Sequence, residues 1–193
     1  TLQQASNAEV EAAVKRALFL GSASTLFEKV FGPALQQLGQ RWHDGTISVG
    51  QEHLASEIVG NALRYLVRLS QPETPEHTAI LACSADEEHV VPLYGVALRL
   101  CEWGFRTISL GARTPPHAIA HAVSEIHPTL VGLLLTIVPP AFRTRELLDG
   151  YRDACGSTPW LVGGAGAQVL RADIEACGGH VAPTERQQLR RLV

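Results

Sequence analysis

Two groups of side chains in this sequence could do chemistry, and the first surrounds a histidine. His89 follows an apolar segment that ends at Cys83, and Glu87 precedes it by two residues. An imidazole can bind a metal, and a carboxylate that accepts a hydrogen bond from its other nitrogen fixes the tautomer and raises the ligand's basicity. From these residues alone, we favour a polar surface loop over a metal site.

The second group is Trp42, His43, Glu52 and His53, which lie on both sides of a short predicted turn between two helices. The turn spans 44–47, so the four side chains can converge. An aromatic ring, two imidazoles and a carboxylate at one helical corner are unusual for a plain core. The alternative is a capped corner, with Glu52 near the positive end of a helix and Trp42 in the core. The residues alone leave both interpretations open.

A glycine-rich segment gives a weaker signal. Gly163, Gly164 and Gly166 follow a short apolar segment. Glycines there let a ligand approach the backbone, and the N-terminus of the following helix favours an anion. Such runs are common in loops of this kind. No GxGxxG follows the first apolar segment of this half of the chain, so the sequence disfavours the usual mode of NAD binding.

The elements that must position the corner residues are predicted to be helices. Residues 1–69 carry apolar residues at helical spacing, which is typical of a small bundle. We expect helix ends near Gly21 and Gly45, and a last helix over about 49–69. Three capping boxes predict the helix starts, and they begin at Ser6, Thr25 and Ser48.

Two segments that contain proline interrupt this pattern. Gly32-Pro33 lies inside the second helical pattern and predicts a kink or a break there. The stretch 70–76 has two prolines and no apolar residue, so it is typical of a linker. The sequence therefore predicts two parts, a helical one before this linker and a different one after it.

Residues 78–193 alternate short apolar segments with helical patterns, which predicts repeated βα units. The predicted strands are 78–83, 106–110, 130–137, 160–162 and 180–182. The predicted helices are 90–103, 116–126, 141–154, 166–176 and 184–192. Five units predict a doubly wound parallel sheet, which binds ligands at the carboxyl ends of its strands. The loops expected to carry function are 84–91, 111–115, 137–140 and 163–166.

The composition limits the class of protein. The chain has 193 residues, of which 46% are hydrophobic and 18% charged, so it can bury a core. Its net charge of -3 and scattered arginines argue against direct nucleic-acid binding. The tail cluster is expected to be the exposed face of a last helix: Arg186, Arg190 and Arg191. The four cysteines form no CxxC pair, and we expect them in the core of a reduced, cytoplasmic protein.

No segment has the run of apolar residues that a membrane span needs, and no signal peptide opens the chain. We therefore expect no membrane partner. The sequence begins at Thr1 without a methionine, which suggests a fragment of a longer protein.

Taken together, these residues resemble the light-sensing part of CarH-type, B12-dependent photoreceptors, over nearly the whole chain. The family's helical bundle carries a Trp, nine residues and then Glu-His, as in Trp42 and Glu52-His53 here. The stretch 39–48 is also close to the family pattern. The family's Glu/Asp-x-His-x-x-Gly motif is matched by Glu87 and His89, and a proline, at position 92, replaces its glycine.

The resemblance implies an α/β fold with two domains. An N-terminal helical bundle, 1–70, would cover the upper face of adenosylcobalamin, and a Rossmann-like, flavodoxin-like domain with five parallel strands, 77–193, would bind the cofactor. His89 would be the lower cobalt ligand in place of the cofactor's dimethylbenzimidazole base, and His43 would bind cobalt from above after light. The other implied cofactor contacts are Trp42, Glu52, His53, Glu87, Leu134, Thr136, Gly163 and Gly164.

The function implied is light sensing without catalysis, in which photolysis of the cobalt–carbon bond switches conformation or assembly and so a signalling output. The expected partners are cobalamin, further copies of the chain, and a regulator protein or fused output domain. Two alternatives stay open: a corrinoid carrier subunit of a methyltransferase system, and a B12 sensor with a bilin as second chromophore. A flavin or nucleotide binder would leave 42–53 and His89 unexplained.

Overall fold

The computed structural model describes residues 21–193 together with Ala12 and Arg16. The chain divides into two compact units, Thr1–Ser70 and Gln71–Val193, which are taken one at a time below. The helix start predicted at Ser6 lies outside the described residues.

The helical unit contains α1 (Ala23–Leu26), a π-helical turn (Phe27–Phe31), α2 (Gly32–His43) and α3 (Val49–Leu69). The helix start predicted at Thr25 is wrong. The N-cap is Ser22, whose hydroxyl accepts a hydrogen bond from the Thr25 backbone N–H at 3.3 Å. Both residues carry a hydroxyl, but the earlier one has the extended backbone that a cap requires.

The irregularity predicted at Gly32-Pro33 is present, as a π turn rather than a break. The Gly32 N–H donates to the carbonyl of Phe27, five residues back. Pro33 has no N–H, and its ring would collide with the carbonyl four residues earlier in a regular helix. The wider turn before Pro33 accommodates the ring and lets the chain continue as α2.

Helix α3 has the bounds that the sequence predicts, and its start is a complete capping box. The Gln51 N–H donates to Ser48 Oγ at 3.3 Å, and the Ser48 N–H donates to Gln51 Oε1 at 2.9 Å. Buried residues recur along the helix at spacings of three and four, which gives it one core-facing stripe: Ala55, Val59, Leu63 and Leu66.

The second unit is built on a five-stranded parallel sheet in the order β2-β1-β3-β4-β5. Its strands are β1 (His77–Cys83), β2 (Phe105–Gly111), β3 (Leu130–Leu134), β4 (Trp160–Gly163) and β5 (His180–Val181). This order is the flavodoxin-like one, so the predicted fold class is confirmed.

Strand β3 is shorter than predicted, because 135–137 leave the sheet. Leu135 still donates its N–H to the Gly163 carbonyl at 2.8 Å. The next N–H, that of Thr136, donates to a Glu87 carboxylate oxygen instead of a strand. The apolar run predicts burial correctly, but it does not show where ladder pairing stops.

Six helices of this unit follow the strands: α4 (Val91–Glu102), α5 (Pro116–Ile126), α6 (Ala141–Cys155), α7 (Ala165–Val169), α8 (Arg171–Ala176) and α9 (Arg186–Leu192). The helix predicted at 166–176 is divided at Leu170, which leaves the α-helical backbone region. One core cluster joins one face of the sheet to α5, α6 and α8, through residues such as Ile80, Val131, Ile119, Leu147 and Ile174.

The linker is attached near its start to the edge of the sheet. Gln71 Oε1 accepts the Thr107 N–H at 3.0 Å, and Gln71 Nε2 donates to the Thr107 carbonyl at 3.3 Å and to its hydroxyl at 2.8 Å. The carboxamide thus pairs with β2 as a neighbouring strand's peptide group would. This contact fixes the first part of the linker, six residues before β1 begins.

The cysteines occupy core positions, as predicted. Cys83, Cys101 and Cys155 are buried and Cys177 is half-buried, all as free thiols. Burial raises the pKa of Cys83 and of Cys155 to about 12, in Cys83 with a smaller contribution from the nearby Glu87 carboxylate. No described helix combines the length and the apolar character needed to cross a bilayer.

Candidate functional site

A tight turn at the carboxyl end of β1 positions the first group of predicted site residues. Ser84 donates its N–H to the Leu134 carbonyl at 2.9 Å, which continues the β1–β3 pairing by one step. The Glu87 N–H then donates to the Ser84 carbonyl at 2.9 Å and closes the turn. Arg113, from the loop after β2, donates its N–H to the Glu87 carbonyl at 2.9 Å. The turn is therefore held by both neighbouring strands of β1.

Glu87 points inward from this turn, and its side chain is only 1% exposed. One oxygen accepts the His89 backbone N–H at 2.9 Å and lies 2.5 Å from His89 Nδ1. The other accepts the Thr136 N–H at 2.6 Å and a short hydrogen bond from the Thr136 hydroxyl. A carboxylate with this many donors is a fixed acceptor, so Glu87 is a buried group of this loop and not a solvated one.

The same contacts set the charge of Glu87. Desolvation by burial would by itself raise the pKa of this carboxyl. The hydrogen bonds from Thr136 and from the His89 backbone and ring outweigh it and lower the pKa to about 2. Glu87 is therefore an anion at neutral pH.

His89 is held on one side and open on the other. Its Nδ1 faces Glu87, with the Thr136 hydroxyl at 3.3 Å from the same nitrogen. Its side chain is 61% exposed at the carboxyl edge of the sheet. With Nδ1 bound to a carboxylate, Nε2 is the nitrogen left to bind a metal, and the carboxylate makes it a stronger donor. The contact between the Glu87 carboxylate and His89 Nδ1, which the two-residue spacing predicts, is present.

Pro92, which replaces the glycine of the resembled motif, fits the observed backbone. It lies in the first turn of α4, immediately after Val91. Proline is tolerated there because the N–H that it lacks would have no intrahelical partner. The substitution thus leaves the loop that carries His89 intact.

The predicted contacts on β3 and β4 are close together at the same edge. Leu134 pairs with Gly163 across the two strands and is buried. Gly164 has φ +105°, and a Cβ at this position would lie 2.4 Å from the Leu135 carbonyl oxygen. The glycine is therefore required by close packing of two backbones. The sequence predicts the glycine run, but it assigns it to the approach of a ligand.

The second predicted group lies at the corner between α2 and α3, and its backbone is well fixed. Thr46 donates both its N–H and its hydroxyl to the Arg41 carbonyl, each at 2.9 Å. Gly45, with φ +70°, donates its N–H to the Trp42 carbonyl at 3.0 Å. Beneath the turn a small core cluster is buried, formed by Leu38, Ile47 and Ala55.

Trp42 is not part of that core, whereas the capped corner of the alternative interpretation is present, with Glu52 in the first turn of α3. Its side chain is 50% exposed, and His43 beside it is exposed as well. Across the turn, His53 Nδ1 lies 2.8 Å from Glu52 Oε2. The Ser56 hydroxyl donates to Glu52 Oε1 at 2.6 Å. The structure thus joins Glu52 to His53 directly and leaves an aromatic ring and imidazoles at the surface.

Three further residues hold the loop of His89, and the sequence analysis names none of them as a site residue. Tyr151 on α6 accepts the Ala85 N–H, Arg143 forms a two-pronged ion pair with Asp86, and Arg113 forms an ion pair with Glu88. A usable signal exists only for Tyr151. It lies on the apolar stripe of a helix, and a buried tyrosine hydroxyl needs a partner.

Comparison with known proteins finds a family of cobalamin-binding domains that matches part of the chain, and two regulators that are similar to most of it. Residues 2–67 match the family described as B12 binding domain. The chain is 37% identical over 156 residues to the HTH-type transcriptional repressor CarH of Myxococcus xanthus, and 28% identical over 155 residues to the repressor CarA of the same organism. Each alignment covers 80% of this chain and 52% of the relative. The chain therefore spans about half the length of these curated relatives.

A solved structure shows the same fold. The monomethylamine corrinoid protein of Methanosarcina barkeri matches with a TM-score of 0.72 at 17% sequence identity. The match covers 93% of this chain and 86% of that one. At this identity the likeness concerns the fold alone.

Proposed function

We propose, from the match of residues 2–67 to the B12 binding domain family and from the similarity of the chain to CarH, that it binds adenosylcobalamin and uses it to sense light. The relatives support the broader class, a cobalamin-binding regulator. The light response and the adenosyl form of the cofactor are the specific part of the proposal, and so are the roles of individual residues.

The observation that carries the proposal is the arrangement of Glu87, His89 and Thr136. The imidazole is open, tied at Nδ1 to a buried anion, and stands at the sheet edge where parallel sheets bind ligands. It supplies a single nitrogen donor. One such donor would suit a metal whose remaining ligands come from a bound macrocycle, as those of the cobalt in cobalamin do.

The cofactor, when bound, supplies a cobalt–carbon bond that light can break. The chain's own residues then have two tasks. His89 would hold cobalt from the lower side, with Glu87 setting its tautomer. Trp42, Glu52 and His53 would recognise the adenosyl group, and the exposure of Trp42 leaves its ring available for stacking. His43 is the residue that would supply a second imidazole ligand for the metal in the illuminated state.

The test is an absorption spectrum of the chain with adenosylcobalamin, taken in the dark and again after green light. We expect a bound cofactor in the dark and, after light, a stable spectrum that free cobalamin under the same light does not give. Free cofactor carried through the same gel filtration is the control. Failure to retain the cofactor would refute the proposal.

A corrinoid carrier is the second candidate, because a carrier with this fold would also need an open histidine at the sheet edge. It has no need for an aromatic and imidazole group at the α2–α3 corner. The same experiment separates the two. Retention of cobalamin with a photoproduct no different from that of the free cofactor would favour the carrier.

A further inference from the structure

We propose that Tyr151 is a positioning residue for His89, acting through the backbone of the turn that carries it. This inference rests on the proposed function and deepens it. Tyr151 is on α6, far along the chain from the turn, and it is only 2% exposed. Its ring belongs to the core, but its hydroxyl ends between two loops at the site.

The hydroxyl makes one hydrogen bond to each loop. It accepts the Ala85 N–H at 2.8 Å, inside the turn that leads to His89. It donates to the Thr114 carbonyl at 2.7 Å, in the loop after β2. Thr114 in turn donates its N–H to the Cys83 carbonyl at 3.1 Å, the last residue of β1. A closed set of hydrogen bonds thus links α6, the end of β1 and the loop after β2.

The hydrogen bond from the Ala85 N–H to Tyr151 lies inside the turn formed by residues 84–87. The turn itself uses the Ser84 carbonyl and the Glu87 N–H, which leaves the Ala85 N–H without a role in it. Tyr151 supplies the acceptor for that N–H in a largely buried setting. The direction in which Glu87 enters the protein depends on this turn, and the Nδ1 contact of His89 depends on Glu87.

The same helix makes a second contact with the turn, the ion pair of Arg143 with Asp86, which can be compared with the hydrogen bonds of Tyr151. Arg143 bonds Asp86 through Nε at 2.9 Å and through a terminal nitrogen at 3.1 Å. Both of these side chains are partly exposed, and exposed ion pairs hold geometry weakly. Loss of the buried tyrosine bonds should therefore disturb the turn more than loss of the ion pair.

The experiment uses Tyr151→Phe, which keeps the ring and removes only the hydroxyl. Protein labelled with nitrogen-15 is loaded with cob(II)alamin, and the electron paramagnetic resonance spectrum is recorded. An axial nitrogen from the protein gives doublets, whereas the cofactor's own unlabelled base gives triplets. We expect the parent chain to show doublets, and Tyr151→Phe to show mainly triplets and to bind cobalamin about tenfold more weakly.

Two further variants keep the inference open to refutation. Leu148→Val shortens a buried apolar side chain of α6 that has no hydrogen-bonding group, so it lowers stability without removing a hydrogen bond. It and Tyr151→Phe are compared after their losses of unfolding free energy have been measured. Arg143→Gln removes the ion pair. Doublets retained in Leu148→Val and lost in Tyr151→Phe support positioning. Doublets retained in Tyr151→Phe, or lost equally in Leu148→Val, would overturn it.

The two proposals fail in different ways. If the parent chain gives triplets, or binds no cob(II)alamin, the proposed function itself is wrong at His89. If the parent chain gives doublets and Tyr151→Phe does too, only the role of Tyr151 is lost.

Discussion

At the scale of single residues, the candidate site is organised around the buried carboxylate of Glu87. Glu87 receives two hydrogen bonds from Thr136 and two contacts from His89, and its charge is stabilised by them. A buried anion without such donors would be costly. Because its acceptor contacts come from both His89 and Thr136, Glu87 is placed to orient the His89 imidazole.

Replacement of His89 by alanine tests the ligand directly. We expect His89→Ala to bind cobalamin at least about tenfold more weakly and to leave the cofactor's own base on cobalt. The measurement is a titration followed by absorption, with the resonance experiment as a check on the axial nitrogen.

The matched control is His117→Ala, which removes another exposed histidine of the same unit. It should bind as the parent chain does. Equal binding by His89→Ala and His117→Ala would remove His89 from the site.

Sequence patterns predict this site only in part. The two-residue spacing of Glu87 and His89 predicts their contact, because neighbours in a tight loop meet whatever the fold. Thr136 is named as a cofactor contact, yet in the structure its hydroxyl and N–H both serve Glu87. That pairing joins residues 49 positions apart. It depends on β1 and β3 being adjacent, which no local pattern shows.

At the scale of elements, the carboxyl edge is shaped by where strands stop. Strand β3 ends at Leu134, and the loop after it packs on the backbone that follows β4. Gly164 makes this approach possible. The sequence predicts the bounds of an element well where a periodic apolar pattern extends over many residues, as in α3. It predicts them less well where hydrogen bonding determines which residue is the last, as at the end of β3.

Gly164→Ala tests this packing. The residue has φ +105°, and its new Cβ would lie 2.4 Å from the Leu135 carbonyl oxygen. We expect the free energy of unfolding to fall by about 2 kcal/mol or more, from backbone strain and from the collision. Denaturation by urea measures it.

Gly163→Ala is the matched control one residue away. A Cβ there would meet only the Ala182 Cβ at 3.7 Å, an ordinary contact. A change within about 0.5 kcal/mol is expected. Similar losses for the two variants would contradict the packing argument.

At the scale of the whole molecule, the proposed function requires that a change at the cofactor reaches the rest of the chain. The helical unit offers a firm corner for this, since the turn is closed by hydrogen bonds to Arg41 and packed on Ile47. An imidazole on such a corner cannot move far without moving its helix. A change in what His43 binds would therefore act on a whole element, as a two-state switch requires.

His43→Ala separates dark binding from the light response. We expect cobalamin affinity in the dark to be unchanged and the illuminated spectrum to differ from that of the parent chain, since the new upper ligand is missing. The measurement is the dark and light absorption spectrum after gel filtration. An illuminated spectrum identical to that of the parent chain would show that another group takes the upper position.

The carboxamide of Gln71 on the outer strand has a consequence for behaviour at high concentration. The open side of β2 presents unpaired backbone groups on which a strand of another molecule could add, the first step of aggregation. Gln71 occupies the middle of that side at Thr107 with three hydrogen bonds. A residue of the linker thereby occupies backbone groups that an added strand would need, which works against growth of the sheet by intermolecular strand addition.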